Sequence, residues 1–318
     1  MSLTETIKNQ EFFKTLVEKK EKNMLSNSIL FFCEDGLTSQ HVLTMAALLL
    51  EYQTFDLFNE NSAEFTRIEK GIDLDVKVYP KNEEKLLVAD AKEIVAEASV
   101  KPVNLPYKIF IIKNIDISTE EAQNKLLKVL EEPAKNVYFL LSAQRADSVL
   151  PTIRSRCDKI KVGPLSQTEI STICDNELAV ILGDGYIGKT LFLSQKEELK
   201  EIADFAVSLL TELKSSKDVL KYSKRFLEHM GELDLVLRIM SLCIEDMIKI
   251  KCDSLELCKF KPYFNDLKGV EMEFSVEALC EISKLIENLL KKFDFNANAT
   301  IALDNFLLKM LEVKYLCK

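Results

Sequence analysis

The chain has 318 residues, 47% apolar and 29% charged, with a net charge of −9 and a pI near 5.1. Single hydrophobic cores rarely grow beyond about 250–300 residues, so two or three domains are expected. A free-standing DNA binder carries a basic excess, so this acidic chain is expected to meet nucleic acid only locally or through an assembly.

The longest purely apolar run, residues 45–50, falls far short of the roughly 20 residues that span a bilayer. The N-terminus has no apolar signal core. A cytoplasmic protein with no membrane partner is expected. With 8 glycines and 7 prolines, well under the usual share of about 12%, the chain should be rich in helix. Eight cysteines (33, 157, 174, 243, 252, 258, 280 and 317) form no CxxC pair, and the only histidines are His41 and His229. Free thiols are expected rather than a metal site.

Strand and helix signals alternate through residue 163. SILFFC at 28–33 predicts a buried strand, then a loop at 34–39 and an apolar helix reaching Leu50. Leu74, Val76 and Val78 alternate with polar residues ahead of Pro80 and predict a second strand, followed by helical spacing over 86–99. KIFII at 108–112 and VYFLL at 137–141 have the apolar character of central parallel strands. Between them lies a helix with a capping-box pattern at Ser118 and Glu121 and a stop at Pro133. A fifth strand is expected at 159–162. This βαβ series predicts an α/β domain with a parallel sheet. After Gly163-Pro164 the strand signals cease. Ser166 and Glu169 open another capping box, short helices follow with a turn at 183–188, and long amphipathic helices run to the end past a break at KSSK, 214–217.

The loop after the first strand stands where a phosphate-binding loop would sit. Such a loop needs glycines so that backbone N–H groups can face phosphate, a lysine for the β- and γ-phosphates, and Ser or Thr for magnesium. Here Cys33 and Thr38 occupy the required glycine positions, Ser39 the lysine position and Gln40 the hydroxyl position; Gly36 is the one glycine left. Glu34 and Asp35 add negative charge. The strand at 108–112 ends in Lys113-Asn114 instead of acidic residues: an ammonium cannot ligate a cation, and an Asn amide cannot act as a general base. Both halves of a hydrolysis site are missing, and no cofactor is expected.

Three of the six arginines, Arg145, Arg154 and Arg156, fall within 124–157. Arginine's planar fork suits phosphate and carboxylate, so a specific task for a guanidinium is one explanation; pairing with a surface carboxylate is the other.

The segment from Lys108 to Pro164 resembles the clamp-loader branch of the AAA+ ATPases. The resemblance rests on Asn124-Lys125-Leu126-Leu127-Lys128-Val129-Leu130-Glu131-Glu132-Pro133 and on Thr152-Ile153-Arg154-Ser155-Arg156-Cys157. Weaker echoes are Asp184-Gly185-Tyr186-Ile187-Gly188-Lys189, like that family's second sensor, and NANATIALDNFL at 296–307, like its collar helix. The resemblance implies a AAA+ α/β domain with a five-stranded parallel sheet flanked by helices (1–163), a small three-helix lid (164–208) and an all-α collar domain (209–318). A lost phosphate loop with an intact Ser-Arg-Cys resembles the non-hydrolysing subunit of the bacterial DNA polymerase III loader. The ATPase subunits (gamma/tau) keep the lysine and acidic pair, and the delta subunit generally lacks Ser-Arg-Cys. Unlike many relatives, this chain has no cysteine between Cys33 and Cys157, so no zinc is carried over. The implied mechanism is an arginine finger in trans from Arg156, with Ser155 and Cys157 supporting it. Implied partners are gamma/tau and delta, with the sliding clamp and primer-template DNA reached through the assembly. An active ATPase with an atypical loop and a catalytically silent scaffold are the rival readings. Arg145 and Arg154 are expected to be bystanders, Lys125 and Lys128 a solvated face, and Lys189 structural.

Overall fold

The computed structural model describes residues 2–51, 62–81, 85–294 and 299–316. Helices α1 (Leu3–Asn9) and α2 (Glu11–Glu21) precede strand β1 (Ser28–Phe32), and α3 (Gly36–Glu51) follows it. Next come α4 (Ala63–Glu69), β2 (Val76–Tyr79), α5 (Val88–Glu97), β3 (Lys108–Ile112), α6 (Glu120–Glu131), β4 (Val137–Ala143), α7 (Pro151–Arg154) and β5 (Asp158–Lys161).

The five strands form one parallel sheet in the order β2-β3-β4-β1-β5. Central placement explains the apolar strands: every residue of β3 is buried, while the edge strand β5 alternates half-buried with exposed. Residues alternate between the two faces of a strand. Leu30, Phe110, Ile112, Phe139 and Leu141 thus face a core shared with Ala91 and Ile94 of α5, Leu126 and Leu130 of α6, and Ile153 of α7. Lys125 and Lys128 are exposed on the far side of α6.

Local signals were displaced in two places. The loop expected over 34–39 ends at Asp35, because that residue caps α3 and lets the helix begin at Gly36. The cap of α6 is Thr119, whose hydroxyl accepts the Ala122 N–H at 3.3 Å, and not Ser118. Ser118 instead closes a 3₁₀ turn at Ile115–Ile117 by donating its hydroxyl to the Ile115 carbonyl.

Beyond the sheet lie α8 (Gln167–Ser171), with its Ser166/Glu169 capping box formed, α9 (Glu177–Gly183), α10 (Ile187–Ser194) and α11 (Leu199–Thr211). Helix α11 runs through position 208, and the chain breaks next at 212–215. Then follow α12 (Ser216–Glu228), α13 (Leu233–Lys251), α14 (Phe264–Val270), α15 (Val276–Asp294) and α16 (Ala299–Leu316). Two compact units divide the chain: Met1–Asp175 with Gly183–Leu191, and Asn176–Leu182 with Phe192–Lys318. In the second, α13 packs against α11, α14 and α15, and α16 against α12 and α15. Part of the collar-like segment, 296–298, lies outside the described residues, as does Cys317. Among the described cysteines, 33, 157, 174, 243 and 258 are buried free thiols, and 252 and 280 exposed ones. No helix among the described residues is long and apolar enough to cross a membrane.

Candidate functional site

Helix α7 is a four-residue turn opened by Pro151, whose fixed φ suits a first helical position. Two contacts fix its place. Ile153 is fully buried against α6, and Gln123 of α6 reaches the approach to the turn. Gln123 Oε1 accepts the Leu150 N–H at 2.9 Å, and its Nε2 donates to the Ser148 carbonyl at 3.4 Å. Gln123 escaped the sequence reading, although it was visible as a polar residue on the apolar stripe of Leu126 and Leu130.

Arg156 follows this anchored turn. Its Nε and Nη2 donate to Glu131 Oε2 at 3.0 and 2.7 Å, and its Nη1 donates to the Thr152 carbonyl at 3.1 Å. The side chain is 28% exposed, and that of Glu131 57%. The carboxylate partner is therefore real, and it lies in the Leu-Glu-Glu-Pro motif itself. Ser155 is exposed and donates its hydroxyl to the Thr152 carbonyl at 3.0 Å. Cys157 is buried in the core, and burial pushes its thiol up to about 12. One residue thus closes the turn and the other anchors it from below. Arg154 points elsewhere: it lines a cavity of about 380 Å³ with Phe32, Ala146, Pro151, Ser155 and Lys159. Arg145 is an exposed loop residue whose backbone N–H donates to Asp116 Oδ2 at 3.2 Å.

The phosphate-loop region has a different occupant. Asp35 is buried, and its Oδ2 accepts the Thr38 N–H (2.8 Å), the Thr38 hydroxyl (2.6 Å) and the Gly188 N–H (3.0 Å). Its Oδ1 accepts the Lys189 N–H at 3.2 Å. One carboxylate thereby caps α3 and α10 together, the positive ends that favour an anion. Gly188 permits the approach, since an added Cβ would stand 2.5 Å from Asp35 Oδ1. Beside it, the Tyr186 hydroxyl bonds to Glu34, and burial together with that bond pushes the phenol up to about 12. The second-sensor-like segment is thus tied to the loop by Glu34 and Asp35, the two acids whose negative charge opposes a phosphate there.

Cys33 donates its thiol to the Asp35 carbonyl, and burial raises that thiol to about 11. Ser39 is buried within α3, and Gln40 donates to Glu69 at 3.4 Å. Gly36 has open space at its Cβ position. Asn114, after β3, adopts a left-handed conformation (φ 50°), and its N–H donates to Ser142 Oγ at 3.1 Å. Lys113 is half-buried, with its N–H donated to the Tyr79 carbonyl at 2.8 Å. No group of three or more His, Cys, Asp or Glu side chains among the described residues could hold a metal ion.

Comparison with known proteins identifies the family. Residues 8–166 match the family model described as DNA polymerase III, delta subunit. Along 94% of this chain and 95% of the other, the sequence is 22% identical to the DNA polymerase III subunit delta′ of Bacillus subtilis. It is 33% identical over 140 residues to the subunit gamma of Buchnera aphidicola, covering 44% of this chain but only 36% of that protein. Among solved structures, a gamma-subunit-related protein of Thermotoga maritima covers 96% of this chain and all of its own at 19% identity and a TM-score of 0.48. The chain belongs to the DNA polymerase III delta-subunit family of clamp-loader proteins.

Proposed function

We propose that the chain is the non-hydrolysing, delta-prime-type subunit of a bacterial clamp loader, which braces the ring and lends Arg156 to the nucleotide site of a neighbouring ATPase subunit. The observation that carries this is Asp35: its carboxylate accepts the Thr38, Gly188 and Lys189 N–H groups at the helix N-termini beside the loop, where a phosphate would otherwise bind. Ser39 stands where the phosphate-binding lysine is required, Gln40 where the magnesium-binding hydroxyl is required, and Lys113 and Asn114 where the acidic pair is required. A chain without a nucleotide of its own can use an anchored arginine only on another's. There the guanidinium would offset charge developing on the γ-phosphate; such fingers are worth roughly 10³–10⁵ in turnover, and the lower end suits a site coupled to assembly.

In this reading residues 1–163 form the α/β domain, 164–208 a lid and 209–318 a collar that holds the ring. The partners are gamma/tau and delta subunits, with the sliding clamp and primer-template DNA reached through them during replication in the cytoplasm. One observation favours the scaffold reading: Arg156 already has a carboxylate partner in Glu131. Calorimetry and addition to gamma/tau and delta separate the possibilities. The isolated chain should give no heat of binding at millimolar ATP, yet should raise DNA- and clamp-stimulated hydrolysis by the other subunits. Absence of ATP binding would eliminate an active ATPase, whereas ATP binding would overturn the reading of a filled loop, and failure to raise hydrolysis would favour a scaffold.

A further inference from the structure

Glu131 is the last residue of α6 and Glu132 is its C-cap. Carboxylates at the negative end of a helix macrodipole are unfavourable, so two in succession break a local rule without helping the helix. Such violations gather at functional sites. For Glu131 the structure supplies the reason: Arg156, 25 positions later, places two donors on its Oε2.

The donor count decides what this contact does. A guanidinium carries five N–H groups. Glu131 takes the Nε–H and one Nη2–H, and the Thr152 carbonyl takes one Nη1–H. One N–H on each terminal nitrogen is left, a pair suited to an oxyanion. The side chain is therefore held by one edge while the other stays available, and at 28% exposure it remains accessible. An arginine that must find a phosphate in another subunit loses less conformational entropy when its rotamer is already set.

We infer that Glu131 is a positioning residue for Arg156, holding the guanidinium by its Nε edge so that the two remaining terminal N–H groups meet the γ-phosphate oxygens of a neighbouring subunit's nucleotide. This rests on the arginine-finger reading proposed above. Its competitor is neutralisation, in which Glu131 merely occupies the charge and would have to be shed before Arg156 could act. The two predict opposite signs.

The test is steady-state ATP hydrolysis by the full reconstituted loader, with DNA and clamp, carrying Glu131→Ala, Glu131→Gln, Arg156→Ala or the Glu131→Ala/Arg156→Ala pair. An exposed ion pair sets a scale of about fivefold in rate. Glu131→Ala should lower kcat by about that factor with KM for ATP unchanged. Glu131→Gln, which keeps an acceptor oxygen, should lie between it and wild type. The double variant should match Arg156→Ala alone, as expected if one residue acts through the other. In the isolated chain, Arg156 Nε–H exchange should accelerate in Glu131→Ala while the unfolding midpoint stays put. Equal or faster hydrolysis in Glu131→Ala, with Arg156→Ala still slow, would overturn the positioning role and leave the finger standing. Full activity in Arg156→Ala would instead remove the finger, and the positioning role with it.

Discussion

The Asp35 carboxylate accepts the Gly188 N–H at 3.0 Å across 153 positions of sequence, joining the first loop of the sheet to the start of α10. A phosphate would have to displace this internal anion. It would also have to do so without the lysine that normally compensates the added charge.

Asp35→Ala removes a cap from α3 and another from α10, at an expected cost on the order of 2–4 kcal/mol. Denaturant unfolding checks the magnitude, and amide exchange at Gly188 and Lys189 checks the place, since both N–H groups lose their acceptor. Asp35→Asn keeps one acceptor oxygen and should lose about half as much. Neither variant should gain ATP binding, because Ser39, Gln40, Lys113 and Asn114 are unchanged.

Gln123→Leu preserves volume but strands the Leu150 N–H, a loss of about 1–3 kcal/mol. Because Gln123 fixes the approach to α7, the turn carrying Arg156 should loosen with it. Modification of the buried Cys157 thiol, followed by peptide mass mapping, should accelerate. A stable protein with an unreactive Cys157 would show that Ile153 alone seats the turn.

Glu51 gives a pH dependence of definite sign. Its carboxyl is 8% exposed at the end of α3, and neither oxygen has a hydrogen-bond partner among the described residues. Burial, followed by the negative charge of Asp73, raises it from 4.5 to about 7. Between those values the folded state holds more protons than the unfolded one, so stability falls as pH rises and levels off above about 7, by roughly 3 kcal/mol in all. Glu51→Gln should abolish that slope and be the more stable protein at pH 8. An unchanged slope would assign the effect to another group.

Much of this was legible in the chain. The central strands β1, β3 and β4 were legible because parallel central strands are apolar on both faces, the edge strand β2 because its apolar residues alternate with polar ones, and Pro133 and Ser166 marked helix ends by local chemistry alone. The acids at 34 and 35 were recognised as hostile to phosphate, but their second partners, Tyr186 and Gly188, become neighbours only once the sheet is formed. Gln123 was hidden for a similar reason: its value lies in reaching Leu150, and helical spacing says only that it faces inward. The Arg156–Glu131 pair joined two motifs that had been noticed separately. Ser118 misled because a serine next to a threonine leaves two candidate caps, and the preceding 3₁₀ turn claimed the first.

The central claim is that an arginine in a subunit with its own phosphate loop filled acts on a neighbour's nucleotide. The most direct measurement is ATP hydrolysis by a reconstituted loader carrying Arg156→Ala or Arg156→Lys, with assembly verified by size-exclusion chromatography. Turnover at the neighbouring site should fall by about 10³ in Arg156→Ala, and lysine should restore little of it because an ammonium lacks the planar fork. An intact assembly that hydrolyses ATP at the wild-type rate in both variants would contradict the account.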